Sequence, residues 1–316
     1  MHTKDSNEPN LFGDGERTPE DSGDRKSRWR AQRKARDAER RKQRLIAQKA
    51  RISDKELAFW GDEDKAAIPP ELARGAIFRL PRRGRRRFFK NEVVIERPSL
   101  KIGFTGTELD QFDGDVYLAV IRALRGQYIG ERVEISLKGL AHEIRRVQSG
   151  GTVETVRNAL DRLSSCVVHL DFWRKGEHYT ANIGLMGWIY EEKSRKTYVR
   201  LDPDAATLFA QLAWIDFDKH LALPTDMARM LHMYVTSHRR GQRRSVPLAE
   251  FMEITGSTTP RHMFRARLRD ALRALQAAGI IDEMEITNND AVRWRLLDYD
   301  RDPENAAQIE GPGSHT

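Results

Sequence analysis

Apolar residues along this chain recur in two registers, and the registers alternate in an order that appears twice. Val153, Val156, Ala159, Leu160 and Leu163 fall on one helical stripe over residues 152–164. Phe264, Leu268, Ala271, Leu272, Leu275 and Ala278 do the same over 260–278. Each stripe predicts a helix with one face in a core. Alternating stretches that predict strands follow each helix, 166–173 and 179–186 after the first, 280–286 and 292–297 after the second. Arg174-Lys175-Gly176 supplies the tip of the first hairpin and Asn288-Asn289-Asp290 the turn of the second.

The stretches upstream of each helix also match. Residues 116–124 read as a helix with Val116, Val120, Ala123 and Leu124 on one face, 132–137 as a strand and 140–146 as a short helix. In the later half, 225–237 is a helix carrying Met227, Met230, Leu231 and Tyr234. A strand at 245–248, a helix at 249–255 and the Gly256-Ser257 turn follow it. A strand at 197–201 and a helix at 204–212 lead from one half to the other. Helix, strand, helix, helix, hairpin is the order of a winged helix, whose third helix enters the major groove while the hairpin lies on the backbone. The predicted fold class is therefore α+β, with two tandem winged-helix domains at 76–202 and 203–300. A disordered, basic N-terminal tail over 1–75 precedes them, and a disordered tail over 301–316 follows.

The helix at 260–278 has its ends written in sequence: Thr258 or Thr259 to cap, Pro260 in the first turn and Gly279 as a left-handed stop. Arg261, Arg265, Arg269 and Arg273 follow at four-residue steps beside the apolar stripe, with His262 and Gln276 among them. These arginines are the first candidates for a major groove, some for base edges and others for phosphates. Thr155, Asn158 and Arg162, with Arg157 at one edge, face outward from the earlier helix and are the candidates for an adjacent groove. Lys175 and Arg293, in the hairpins, are candidates for phosphates. A lone helix of this kind reads first as a solvated amphipathic surface helix; the hairpin after it shifts the reading to DNA.

Charge sharpens the partner. The chain of 316 residues carries net +8, yet residues 25–51 hold thirteen Lys or Arg against Asp37 and Glu39, a net +11, which leaves −3 for the rest. Clustered cations of that density suit phosphates through counterion release. The run has almost no apolar face, Trp29, Leu45 and Ile46 being too few for a membrane surface. No apolar stretch of about 18 residues or signal-peptide core exists, and a single Cys166 suits a reducing cytoplasm. The expected location is cytoplasmic, with no membrane partner.

Asp110, Asp113 and Asp115 lack the spacing of a calcium loop and read as helix-capping residues. Neither a phosphate-binding glycine loop nor a paired-histidine metal pattern is present, so the expectation is no catalytic residue, no metal and no cofactor. Histidines on helices, such as His142 and His232, are expected at the surface or the core edge. Glu56-Leu57-Ala58-Phe59-Trp60 is an apolar knot between the basic run and Asp62-Glu63-Asp64. Two readings stand for it: an anchor on the protein's own core, or a short motif presenting Leu57, Phe59 and Trp60 to another protein's pocket.

Two further segments carry a specific resemblance. Residues 101–109, Lys-Ile-Gly-Phe-Thr-Gly-Thr-Glu-Leu, and 223–230, Leu-Pro-Thr-Asp-Met-Ala-Arg-Met, followed by Ser237-His238-Arg239, look like the TrfA family of plasmid replication initiators. The likeness runs from about Ser53 to Leu297. It implies two winged-helix domains that bind repeated origin sites (iterons) as duplex DNA, help open the origin and recruit the host helicase, initiator and sliding clamp. It also implies a monomer–dimer equilibrium, for which the predicted strands 91–95 and 101–105 offer a pairing edge. The family's clamp-binding pentapeptide, Gln-Leu-x-Leu-Phe, has its counterpart at Glu56, Leu57, Ala58, Phe59 and Trp60, with Glu for Gln and both later apolar positions changed. The alternative function is a winged-helix transcriptional repressor.

Overall fold

The computed structural model describes residues 65–297, except 76, 81–83, 99, 147–148, 175 and 211. The basic run, the Glu56–Trp60 segment, Lys175 and residues 301–316 lie outside the described residues. In chain order the first half comprises β1 (Lys65–Ile68), α1 (Pro70–Arg74), β2 (Phe78–Arg79), β3 (Phe88–Arg97), β4 (Leu100–Thr107), β5 (Leu109–Asp110) and α2 (Gln111–Ala123). It continues with β6 (Val133–Ile135), α3 (Leu137–Glu143), α4 (Gly150–Ser165), β7 (Val167–Arg174), β8 (Glu177–Gly184), β9 (Met186–Glu191) and β10 (Lys196–Leu201). A 3-10 helix, Pro203–Ala210, stands where the sequence predicts an α-helix over 204–212. After it come β11 (Ala213–Asp216), α5 (Phe217–Ala222), α6 (Asp226–Thr236), β12 (Arg243–Pro247), α7 (Leu248–Thr255), α8 (Arg261–Ala277), β13 (Ile281–Ile286) and β14 (Ala291–Leu296).

One strand order occurs twice. β12-β14-β13 form a three-stranded sheet in the second half, and β6-β10-β9 form its counterpart in the first. In both, the strand before the helix pair hydrogen-bonds to the last strand. The hairpin that the sequence places after α4 does form, as β7 and β8, with Val167 opposite Gly184. It is, however, an insertion. The other edge of β7 pairs with β4, giving the sheet β3-β4-β7-β8. Residues 197–201, expected to lead into the second half, are instead the central strand β10 of the first small sheet. Alternation marks a strand and its buried face, but it is the same for every possible partner. What β7 gains from β4 is one continuous apolar face in which Ile102, Phe104, Val168, Leu170 and Phe172 are all buried. The expected pairing edge is likewise corrected: β3 is an edge strand, while β4 (residues 101–105 among it) is bonded on both sides.

The folded chain begins earlier than the expected tail allows. Ala66, Ala67 and Ile68 are fully buried. They belong to β1, which pairs antiparallel with β11, Ile68 opposite Ala213. Arg74 at the end of α1 then donates from Nε to Ser237 Oγ at 3.0 Å and from Nη2 to the Ser237 carbonyl. A segment from the start of the folded chain therefore clips onto the second half.

The junction between halves is polar as well. Asp115 on α2 is 1% exposed and accepts from His220 Nε2 at 3.0 Å, Arg229 Nη1 at 2.7 Å and Gln111 Nε2 at 3.0 Å. Burial pushes its pKa up, but the His220 hydrogen bond and charge, with Arg229 and Gln111, outweigh that and hold it below the usual carboxylate value. His232, expected at the surface or core edge, is buried with its ring 5.4 Å from that of His220. Cys166 packs as a small apolar residue, its thiol pushed up to about 12 by burial.

Candidate nucleic-acid interface

The helix α8 starts at Arg261 with Pro260 as its N-cap residue and no side-chain cap, so neither Thr258 nor Thr259 serves as sequence suggests. Its other end is as written: Gly279 takes φ 64°, and Ile280 N–H bonds back to the Leu275 carbonyl at 3.0 Å. Phe264, Leu268, Ala271, Leu272 and Leu275 form the buried stripe. The helix also carries five arginines and Asp270, net +4.

Those arginines do different jobs. Arg265, an expected DNA contact, is only 22% exposed, and its guanidinium is taken up inside the protein. It pairs with Asp290 Oδ1 and donates to the carbonyls of Ile286 at 3.1 Å and Thr287 at 2.9 Å, pinning the β13–β14 turn to the helix. A planar fork with five donors is well suited to such a turn. Arg265 is thus a clamp and not an outward reader. Arg261, at 61% exposure, reaches the same carboxylate, Nη2 to Oδ2 at 2.7 Å. Arg273 makes only a loose 3.5 Å pair with Asp270 on the surface. Arg269 has no hydrogen bond or ion pair among the described residues. Neither has Arg267, which is exposed on the opposite flank and which reading by four-residue steps passes over.

The corresponding helix of the first half differs. α4 is capped by Ser149, whose Oγ accepts from Thr152 N at 3.1 Å, and buries Val156, Ala159, Leu160 and Leu163. Arg157 and Arg162 are balanced by Glu154 and Asp161, so its net charge is zero. Arg162, also an expected DNA contact, is 17% exposed and holds Asp113 Oδ1 with Nη2 at 2.6 Å and Nε at 3.1 Å. Asp113, fully buried, also takes Arg86 Nη1 at 2.7 Å. Asp113 and Asp110 form the reciprocal capping box of α2, which bears out the capping reading for those two but not for Asp115, which lies inside the helix and meets His220 and Arg229. Burial and the Asp113 charge push the Asp110 pKa up. Arg157 is half-buried, its guanidinium 5.8 Å from the centre of the Tyr190 ring. Thr155 bonds back to the Gly151 carbonyl at 2.7 Å, and Asn158 is exposed.

The hairpin cations also sort unevenly. Arg293 pairs across the strands with Glu285 at 3.1 Å, within a ladder in which Arg295 meets Asp282 and Glu283. Its charge is thus met by Glu285 on the exposed face of the hairpin. In the first half the counterpart turn joins β9 to β10 and exposes Lys193 and Arg195, the latter at φ 55°. Sequence patterning misses both, because it places the hairpin on β7 and β8. Among the described residues, no helix is long and apolar enough to cross a membrane, and no cluster of His, Cys, Asp and Glu could hold a metal ion.

The chain thus presents an outward arginine helix beside a pinned hairpin, at the end of an element order that repeats. The model of the family described as TrfA protein matches residues 23–295. The chain belongs to the TrfA family. That family comprises plasmid replication initiators, and the match takes in the basic run and the Glu56–Trp60 segment as well as both halves. No curated protein matches the chain. Among solved structures, the selenomethionine form of domains 2 and 3 of RctB is 11% identical, with TM-score 0.46, covering 72% of this chain and 98% of that one. A second structure of RctB domains 2–3 is 10% identical, with TM-score 0.43, covering 69% and 94%.

Proposed function

We propose that this TrfA-family chain is a plasmid replication initiator that binds directly repeated origin sites as duplex DNA through two winged-helix units, α2 to β10 and α6 to β14. The observation that carries the proposal is the outward face of α8. Arg267, Arg269 and Arg273 are unengaged or nearly so, while Arg265 fixes the neighbouring hairpin. In this reading α8 lies in a major groove, with Arg269 and Arg273 toward base edges and Arg261 and Arg267 toward phosphates. Thr155, Asn158 and Arg157 on α4 face the adjacent groove with little net charge. Lys193 and Arg195 take the phosphate role that sequence alone assigns to Lys175. The basic run at 25–51 adds affinity that is independent of sequence.

The chain acts by binding and deforming DNA, with ATP chemistry left to host proteins that it recruits. The segment Glu56-Leu57-Ala58-Phe59-Trp60 is assigned to the sliding clamp because it holds the position of the family's pentapeptide. Free chain exists as monomer and dimer in the cytoplasm, the monomer being the form on iterons.

A footprint on the DNA flanking the protein's own gene tests the function. Protection of several direct repeats beside an AT-rich region is the expected result. A single protected palindrome at a promoter would instead establish the repressor.

A further inference from the structure

Asp290 is the one carboxylate that meets α8 from the hairpin turn, and it engages two arginines at once. Its Oδ1 holds Arg265 and its Oδ2 holds Arg261 at 2.7 Å. The two partners are not equivalent. Arg265 keeps two carbonyl acceptors of its own, those of Ile286 and Thr287, whereas for Arg261 Asp290 is the partner and the guanidinium is otherwise in solvent. The turn also has hydrogen bonds that do not involve the Asp290 side chain. Thr287 N–H bonds to the Ala291 carbonyl at 2.9 Å, Asp290 N–H to the Thr287 carbonyl at 3.1 Å, and Ala291 N–H to Thr287 Oγ1 at 3.0 Å.

An exposed arginine in the first turn of an outward helix is well placed for a phosphate, and the Asp290 Oδ2 it meets here occupies it much as a phosphate oxygen would. We propose that Asp290 sets the affinity of this interface: its carboxylate occupies Arg261 in the free chain and stands beside the DNA as a competing anion, weakening binding to every duplex alike. The inference rests on the reading that α8 meets DNA. Its consequence for an initiator is a smaller fraction of protein held on unrelated sequence, since such binding is almost wholly electrostatic and competing sites are abundant.

Asp290→Asn is a close test, because asparagine keeps the shape, tolerates the left-handed φ of 56° found here and removes only the charge. The probe is a short duplex of arbitrary sequence, titrated with the full chain over a range of salt. The exposed Arg261 pair is weak, so the expected gain is about two- to fivefold tighter binding. The logarithmic salt slope should steepen by about one phosphate's worth, roughly 0.9. Arg261→Ala placed on top of Asp290→Asn should return the affinity to within about twofold of wild type, and Arg261→Ala alone should cost less than about twofold. A tenfold loss from Arg261→Ala alone would show that Asp290 does not hold it back and would overturn the proposal. So would an Asp290→Asn chain that melts normally and binds no tighter. Arg269→Ala with Arg273→Ala, titrated on the natural repeats, separates the two layers: if that pair weakens binding there while Asp290→Asn changes nothing on the arbitrary duplex, only the Asp290 inference fails. If the pair also leaves binding intact, α8 is not the interface and both fail.

Discussion

The helices α4 and α8 occupy the same place in a repeated order of elements and are buried along equivalent apolar stripes, yet their outer faces have diverged. α8 carries net +4, exposes Arg267 and Arg273 and leaves the half-buried Arg269 without an ion pair among the described residues, whereas α4 carries no net charge and folds Arg162 inward onto Asp113. Even the arginines committed to structure are used differently. Arg265 ties helix to hairpin in the second half; Arg162 ties helix to helix in the first, through the capping box of α2. A repeated fold therefore does not transmit a repeated role. The packing stripe is under the same constraint in both copies, while the outer face is free to follow its ligand.

The largest effect expected from breaking this contrast lies in the first half. Asp113→Ala removes the buried acceptor of both Arg86 and Arg162 and undoes the α2 capping box. Leaving partly buried guanidinium groups uncompensated should cost about 3–5 kcal/mol of stability. Thermal or urea melting measures it, and a loss below about 1 kcal/mol would mean that Arg162 is free to point outward after all. The next effect belongs to the second half. His238 packs against Tyr234 and Trp294, and burial holds its pKa down to about 4; burial also lowers that of His232. Above about pH 6.5 both imidazoles are neutral in the folded and unfolded chain. Below it, the unfolded chain takes up protons that the folded chain refuses, so stability falls with pH. His238 alone should remove about 3 kcal/mol between pH 6.5 and 4. Urea melts at a series of pH values, with and without His238→Gln, should show the slope shrinking in the variant.

Much of this contrast is legible in the sequence, and where it is not the reason is physical. Periodicity locates the helices and both stripes, because an apolar face recurring every 3.6 residues over four or five turns is what a half-buried helix requires and a strand does not. It fails on β1, whose Ala66, Ala67 and Ile68 look like a loop remnant and are defined only by β11 far along the chain. It fails in the same way on β7 and β9, since nothing local tells a strand its partner. The arginines show a subtler limit. At 100° per residue Arg265 lies roughly 80° from the centre of the core stripe, against about 120° for Arg269 and 160° for Arg273, so its burial is half-visible on a helical wheel. Arg267 lies equally near the stripe on the other flank and is exposed. Only the position of the hairpin turn, which covers one flank, separates the two.

That distinction is testable within α8 alone. Arg269→Ala should leave the melting temperature almost unchanged, because it removes no hydrogen bond or ion pair among the described residues, and should cost about 1–3 kcal/mol of specific binding. Arg265→Ala should lower stability by about 1.5–3 kcal/mol through the lost charged hydrogen bonds, with any binding loss following from a loosened hairpin. Melting and titration on the natural repeats measure both. Equal melting temperatures for the two variants would show that the clamp contributes nothing.

The smallest effect probes whether α4 meets DNA at all. Glu154 is exposed on its outer face, near Asn158 by helical spacing, and takes no part in any ion pair or hydrogen bond among the described residues. If that face lies in a groove, Glu154 sits close to phosphates and opposes binding through water and salt. Glu154→Gln should then tighten binding to all duplexes by less than about 1 kcal/mol, with a slightly steeper salt slope. Stability should not move, because glutamine has nearly the same helix propensity. The same change at Asp161 would be a poorer probe, since its Oδ1 accepts from Trp188 Nε1 at 3.1 Å and the packing would be disturbed along with the charge. An unchanged affinity for Glu154→Gln across the salt series, beside a clear loss for Arg269→Ala, would mean that the first half approaches DNA by another surface. The exposed turn carrying Lys193 and Arg195 would then be the next place to substitute, and α4 would be neutral outside because it never touches DNA.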